Sequence, residues 1–366
     1  MKILLISTAA LQVPPTDYGG MELIVYYLAE QLAKQKHEVS IVAPQGSTPP
    51  PDVKLIPTIN LATQAYQENS AFEYYKDELT KDYDIIADHS HAKFASQMKA
   101  IDFKKYIPTV HTVATPMFPV LKPNLVCLSK AHAKFIHEHF IYDTKYVYNG
   151  LDPTIFDVIT KKRAKTNRFI FVGRPNPEKG ALFAIEYAKR LKVPLDVIAG
   201  RLSLEPTDYV LKVAQACTFA SPWVYHGVCS HKKKNYMIAR AKALLFPLQW
   251  EEPFGMTVIE ALMSGTPVIT FDRGAMAELL GVTPDYSRNW LDWEGQGKVG
   301  YLVPVIRDSE GQVVKGDDDK FIEAMKLIDN VDNEECRRWA VENFSSTVMA
   351  NNYLKLYKEV MEGNNW

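Results

Sequence analysis

The chain has 366 residues, too many for one ordinary core and too few for three, so two domains are expected. Its 42 Lys and Arg against 43 Asp and Glu leave no global field for nucleic acid or an acidic partner. No window approaches about 18 uninterrupted apolar residues, which excludes a membrane-spanning helix, and the four cysteines, Cys127, Cys217, Cys229 and Cys336, lie too far apart for a zinc knuckle or a small disulfide framework. The start, Met1 to Ser7 followed by Gln12, Pro14, Pro15 and Asp17, reads as a buried strand and makes a poor signal peptide. A cytoplasmic globular enzyme is expected, touching the inner membrane face at most peripherally. The balance of charge hides an asymmetry, because no arginine precedes Arg163. Any bidentate clamp on phosphate or carboxylate must come from the later part of the chain.

Short apolar runs rich in β-branched residues alternate with amphipathic stretches, the pattern of a parallel sheet with helices on its faces, and the pattern occurs twice. In the first half, Ile3 to Ser7 is a strand, a Pro- and Gly-containing loop runs to Gly20, and Met21 to Lys36 carries helical spacing in Leu23, Ile24, Tyr27, Leu28 and Leu32. Val39 to Ala43, Ile85 to Ala87, Pro108 to Val110 and Leu125 to Leu128 follow as strands, with a helix from Ser129. His132, His137 and His139 on that helix are expected at the surface. The polar stretch Thr160 to Arg168 is the candidate linker, which places residues 1–158 with 346–366 in one domain and 159–345 in the other. Phe169 to Val172 then opens a second sheet, continued by Leu195 to Ile198, Ala243 to Phe246 and Val268 to Phe271. From Asn333 the chain is helical with a bend near Ser345 and Ser346, and Tyr353, Leu354, Tyr357 and Val360 form one apolar stripe.

Ligands of open parallel sheets gather outside the carboxyl ends of the strands, so the loops after strands hold the candidate chemistry. There is no GxxxxGK[ST] and no GxGxxG after a strand, which argues against P-loop and nicotinamide readings. The most informative segment runs from Glu251 to Ala261 after the strand Ala243 to Phe246. Pro253 suits the first turn of a helix, Gly255 lets a ligand approach the backbone, and the free N–H groups of that turn make an anion site. Glu252 and Glu260 lie on one face of that segment; amides for phosphate and carboxylates for hydroxyls suit a sugar diphosphate. The loop from Gly173 to Gly180 carries Arg174 and Lys179 between prolines, two cations able to stabilise a departing phosphate. Tyr18 to Glu22, with paired Gly19 and Gly20, is a third place where backbone can pass close to a ligand. His89, His91 and His111 follow strands; His89 and His91 resemble half of a metal site that no further ligand spacing completes.

Taken in order, YGGME, VYNGLD at Val147 to Asp152, VGRPNPEKG, EEPFGMTVIEALMSGTPVI and the terminal FSSTVMANNYLKLY resemble the retaining glycosyltransferases of family 4. The resemblance covers nearly the whole chain, its most specific element being the E-x7-E spacing from Glu252 to Glu260. It implies the GT-B fold: two Rossmann-like α/β domains with doubly wound parallel sheets facing a central cleft, and a C-terminal helix crossing back to the N-terminal domain. By motif, Glu252 would hold the donor sugar, the amides of Phe254, Gly255 and Met256, with Thr257 in the same turn, would contact sugar or phosphate, and Glu260 would hold the ribose. Arg174 and Lys179 would bind the diphosphate, Gly20 would approach it from the other domain, and His111 would line the reaction centre. His89 and His91 stand where two histidines often alternate, and either one could face the cleft. Arg273 departs from the family, standing where a small residue is common. A nucleotide diphosphate sugar is the implied donor, with no metal and no other cofactor.

The expected reaction is transfer of a hexose to an acceptor hydroxyl, on a glycan, a lipid-linked molecule or a small molecule, with the anomeric configuration retained. A phosphorylase or nucleotide-sugar epimerase of the same fold, and a donor-binding homologue without catalysis, are the alternatives. Lys99, Lys104, Lys105 and Tyr106, and separately Lys130, Lys134 and Phe135, are candidate membrane-facing groups, against the simpler reading of a solvated face.

Overall fold

The computed structural model describes residues 1–16, 19–59, 68–98, 102–111, 124–140, 142–199, 207–217 and 222–366. Tyr18 and Lys99, named above, lie outside them. The chain divides into two compact units, the first made of Met1–Asp152 with Phe344–Trp366 and the second of Pro153–Asn343.

In the first unit, β1 (Lys2–Ile6), β2 (Glu38–Pro44), β3 (Val53–Thr58), β4 (Ile85–Asp88) and β5 (Tyr106–Pro108) form a parallel sheet in the order β3-β2-β1-β4-β5. Ile3, Leu4, Leu5 and Ile6 are wholly buried, as a central strand covered on both faces must be, and this is why the run is continuously apolar instead of alternating. Helix α1 (Gly20–Lys34) buries Ile24, Tyr27, Leu28 and Leu32 of the stripe its spacing predicts and leaves Leu23 partly exposed. Helix α2 (Glu68–Tyr75) packs beside β3. A short pair, β6 (Val126–Cys127) and β7 (Lys145–Tyr146), continues from β5 through a bridge between Thr109 and Val126, with α3 (Lys130–Phe140) between the two strands in sequence.

One surface expectation fails in α3. His132 is buried, because its backbone N–H donates to Ser129 Oγ at 3.0 Å while its Nδ1 accepts from the Leu128 N–H at 3.2 Å. Ser129 thus caps the helix start, and the imidazole reaches back past the cap to the residue before it, which holds the ring against the first turn. Tyr106 is buried too, its hydroxyl donating to Asp88 Oδ2 at 2.6 Å, so it belongs to no exposed basic face. Phe135 stacks on His139 at 4.1 Å and Lys134 pairs with Glu138; both find partners on their own helix.

In the second unit, β8 (Phe169–Gly173), β9 (Leu195–Ala199), β10 (Trp223–Gly227), β11 (Leu244–Phe246), β12 (Val268–Phe271) and β13 (Gly300–Val303) are parallel in the order β10-β9-β8-β11-β12-β13. A small antiparallel hairpin, β14 (Val305–Arg307) and β15 (Val313–Gly316), follows the last strand. Helices α4 (Ala181–Leu191), α5 (Thr207–Ala216), α6 (His231–Arg240), α7 (Met256–Met263), α8 (Met276–Leu280), α9 (Asp318–Leu327) and α10 (Asn333–Phe344) connect or follow the strands.

The segment Thr160 to Arg168 is not a free linker. Lys165 Nζ donates to the Ala239 carbonyl at 2.9 Å and to Thr266 Oγ1 at 2.8 Å, and Arg168 makes a forked pair with Asp196 at 2.7 and 2.9 Å. The break lies at 152/153 instead, because Arg337 and Asn235 hold the carbonyls of Pro153 and Ile155 at 2.8 and 3.2 Å within the second unit. The return lies at 343/344. Helix α11 (Ser346–Met361) starts there with Ser345 as its cap and buries Tyr353, Leu354, Tyr357 and Val360 in the first unit. Its start is tied down by the Leu151 N–H to the Phe344 carbonyl at 3.0 Å and the Ser346 N–H to the Leu151 carbonyl at 2.8 Å. No helix among the described residues is long and apolar enough to cross a membrane.

Candidate functional site

The second sheet reverses its strand order between β8 and β11, and a crevice at the carboxyl ends of two such strands is where an α/β sheet receives a ligand. The loops after those strands are locked together there, the Gln249 N–H donating to the Glu178 carbonyl at 2.8 Å. The loop after β8 carries Arg174 and ends in a 3-10 turn at Pro177–Lys179. The Lys179 ammonium pairs with Glu252 and stands 4.6 Å from the centre of the Trp250 ring. Trp250 Nε1–H donates to the same carboxylate oxygen of Glu252 at 3.0 Å. Lys179 and Glu252 are each about nine-tenths buried, so the pairing avoids two desolvated charges without partners. The half-exposed Arg174 guanidinium, by contrast, has no protein partner among the described residues.

Glu252 is held from behind. Gly274, at φ 55°, packs so closely on it that a Cβ would lie 2.2 Å from the Glu252 carbonyl oxygen, which only glycine tolerates. The neighbouring Ala275 N–H donates to that carbonyl at 2.9 Å, while Arg273 and the Gly274 N–H grip the Glu251 carboxylate at 3.3 and 2.6 Å. Arg273, the departure from the family pattern, thus fixes the backbone from which Glu252 projects. Helix α7 begins at Met256 after Gly255, whose φ of 110° is not helical. Pro253 therefore precedes the helix and does not sit in its first turn. No side chain caps this helix, so the amides of Met256 and Thr257 present their N–H groups to an anion. The Phe254 side chain is buried. One turn further, Glu260 pairs with Lys234 of α6 at 2.6 Å, with both side chains mostly buried.

The first sheet reverses between β1 and β4. Helix α1 opens at Gly20 after the loop that leaves β1, and Glu22 is buried in its first turn, accepting from Thr8 Oγ1; burial pushes its carboxyl above the ordinary range. At the end of β4, Asp88 accepts from the Ser90 N–H, the Ser90 hydroxyl and Tyr106 at 2.8, 2.6 and 2.6 Å, with the buried Lys93 ammonium 3.9 Å away. His89 is fully buried with Nδ1 at 3.2 Å from His111 Nε2, whereas His91 is exposed and contributes its backbone N–H to Glu68 at 2.8 Å. Burial, reinforced by Lys93, lowers His89 to about 3, and burial followed by the His89 and Lys93 charges holds His111 well below the imidazole range. Among the described residues no group of three or more His, Cys, Asp or Glu is placed to hold a metal ion.

Family models match both halves of the chain: "Glycosyltransferase Family 4" over residues 18–155 and "Glycosyl transferases group 1" over residues 154–283. This chain is a glycosyltransferase of the family 4 type. The family 4 chain is similar to the O-antigen chain mannosyltransferase C of Escherichia coli, 22% identical with 95% of this chain and 96% of the relative aligned. Among solved structures it resembles AviGT4, a glycosyltransferase involved in avilamycin A biosynthesis, at a TM-score of 0.75, 22% identity and coverage of 100% and 99%. It also resembles HepE of Anabaena in complex with UDP-glucose, at a TM-score of 0.69, 15% identity and coverage of 98% and 100%. These likenesses support the GT-B fold of two Rossmann-like sheets for this glycosyltransferase.

Within its second unit the enzyme brings together Arg174, Lys179, Glu252, Phe254, Gly255, Met256, Thr257 and Glu260 at one sheet edge; within the first it brings His111 to His89 and leaves His91 apart. Sequence reasoning missed Lys234 and Trp250, and named Glu22 only as the end of the segment from Tyr18. Trp250 adjoins the flagged glutamates and was the one with a visible signal, an aromatic two positions before Glu252.

Proposed function

We propose that this glycosyltransferase moves a hexose from a nucleoside diphosphate sugar to an acceptor hydroxyl, with retention at the anomeric carbon and without a metal. The observation that carries the reading is the cluster in the loops after β8 and β11, where the Arg174 guanidinium, without a partner among the described residues, the Lys179 ammonium and the uncapped start of α7 belong to the same sheet edge as two carboxylates eight positions apart. An ammonium has three protons, so Lys179 keeps Glu252 while donating to a phosphate oxygen. Arg174 and the α7 amides take the remaining negative charge, Glu252 accepts from sugar hydroxyls, and Glu260 from the ribose. HepE's complex with UDP-glucose supports a nucleotide sugar as donor. For Gly20 and His111 of the first unit the proposed roles are those the family resemblance implies, His111 as a group that meets the sugar.

In this mechanism the acceptor oxygen attacks the anomeric carbon on the face that the diphosphate leaves. The carbon–oxygen bond to phosphate breaks, and the acceptor's proton passes to the departing phosphate oxygen. Charge grows on the diphosphate during that step, which is where preorganised cations lower the barrier most. A thermal-shift panel of nucleoside diphosphates and nucleotide sugars tests the donor, since a ligand of the native state raises the melting temperature by mass action. Stabilisation by at least one nucleoside diphosphate in the parent, and its loss in Arg174→Ala, is expected. A panel without any shift overturns the reading.

A further inference from the structure

We infer that His89 is a positioning residue that holds His111 with its proton on Nδ1, so that His111 meets substrate as a hydrogen-bond donor and not as a base. The inference rests on the proposed role of His111 as a group that meets the sugar. His89 sits one residue beyond β4, wholly buried, its backbone N–H bonded to the Ile6 carbonyl at 2.8 Å. Its Nδ1 lies 3.2 Å from His111 Nε2, and its buried Nε2 has no partner among the described residues. The ring stands edge-on to Tyr353 at 5.7 Å, and the Tyr353 hydroxyl is engaged with Thr109 Oγ1 at 3.3 Å.

Both rings are neutral near pH 7, so each carries one proton and the facing nitrogens share one between them. If that proton belonged to His111 Nε2, the proton of His89 would sit on its own Nε2, a buried N–H with no acceptor. Orphaned buried N–H groups are among the rarest features of folded proteins. If the shared proton belongs to His89 Nδ1, the N–H finds its acceptor and only a bare lone pair is left at His89 Nε2. The proton of His111 must then be on Nδ1, the nitrogen turned away from His89. The second ring thus selects the tautomer of the first, as second-shell partners do for imidazoles that bind metals. An Nδ1–H cannot accept the acceptor's proton. This agrees with a mechanism in which the leaving phosphate takes it.

The test uses the full chain labelled with 15N-histidine. Long-range 1H–15N correlation at neutral pH, assigned with His111→Asn and His89→Asn, is expected to show His111 protonated on Nδ1. Protonation on Nε2, with the His89 Nε2–H turned to the Tyr353 ring, overturns the inference. A second arm compares His89→Asn, whose amide nitrogen stands where Nδ1 was, with His89→Leu, which fills space but donates nothing. His89→Leu is expected to scramble the His111 tautomer and lower kcat about tenfold, with KM for the donor little changed, while His89→Asn restores both. An unchanged His111 pattern and parental kcat in His89→Leu overturn the positioning role. If His111→Ala turns over donor at the parental rate while the parent keeps the Nδ1–H pattern, the tautomer stands and the place of His111 at the reaction centre fails.

Discussion

The two parallel sheets reverse strand order in the same way, yet their carboxyl edges have opposite electrostatic characters. Beside β8 and β11 stand three ion pairs, Lys179 with Glu252, Lys234 with Glu260 and Arg273 with Glu251, and the unpartnered Arg174. Beside β1 and β4 stand two neutral imidazoles, a raised carboxyl at Glu22 and one internally compensated pair, Asp88 with Lys93. Every arginine of the chain falls in the second unit and none in the first. Topology therefore chooses where a ligand goes, and side-chain charge chooses what kind. A charged edge suits a diphosphate, and an edge of neutral donors and acceptors suits sugar hydroxyls.

Removing the cations tests that contrast most strongly. Arg174→Ala and Lys179→Ala are each expected to lower kcat by about 100- to 1,000-fold, by analogy with losing one oxyanion donor, with the Arg174 variant melting as the parent does. Parental turnover in both would erase the distinction between the edges. Next in size is the coupling inside the charged edge. Lys179→Met should destabilise the fold more than Lys179→Met with Glu252→Gln, with a coupling of about 1–3 kcal/mol in urea unfolding; simple additivity would mean that the pair is not a unit.

The neutral edge has its own signature in pH. His89 has a folded value of about 3 against an ordinary 6.5, so the unfolded chain takes up the proton first. Stability from this group is complete above about pH 6.5 and is lost as pH falls toward 3, with a slope of up to about 1.4 kcal/mol per pH unit. His89→Asn should flatten that slope in denaturant titrations between those limits. Glu22, raised by burial, acts in the opposite sense, but it is common to both proteins and cancels in the difference. The smallest effect is expected at Trp250→Phe, which keeps a ring near Lys179 and removes only the indole N–H from Glu252. A loss of about 0.5–1.5 kcal/mol in donor affinity by calorimetry is expected.

What was legible before the fold was known has a physical pattern. Central strands such as Phe169 to Val172 are visible because burial on two faces leaves a local trace; Glu252 and Glu260 are visible only as a spacing in sequence, since Glu252 precedes α7 and the two do not share a helix face. Lys234 leaves none: its partner Glu260 lies 26 positions away on another element, and nothing local distinguishes it from Lys232 or Lys233. Polarity misled at Thr160 to Arg168 because a polar side chain marks solvent only when no internal acceptor awaits it, and Lys165 finds two. The start of α7 was misplaced by three residues because Pro253 is compatible with a first turn, whereas the backbone of Gly255 forbids one so early. His132 and Tyr106 are buried with hydrogen-bonded partners that spacing does not reveal.

The return of the chain at Phe344 has a consequence for biosynthesis. The second unit is continuous in sequence, but the first is completed by α11, which emerges from the ribosome only after the whole second unit. At ordinary rates of translation that interval is roughly 10–40 s. During it the nascent first sheet lacks the helix that supplies Tyr353 and Tyr357 to its core. The earlier-made unit is thus the later one to be completed, and the surroundings of His89, walled in part by Tyr353, close only after the whole charged edge beside β8 and β11 has been synthesised.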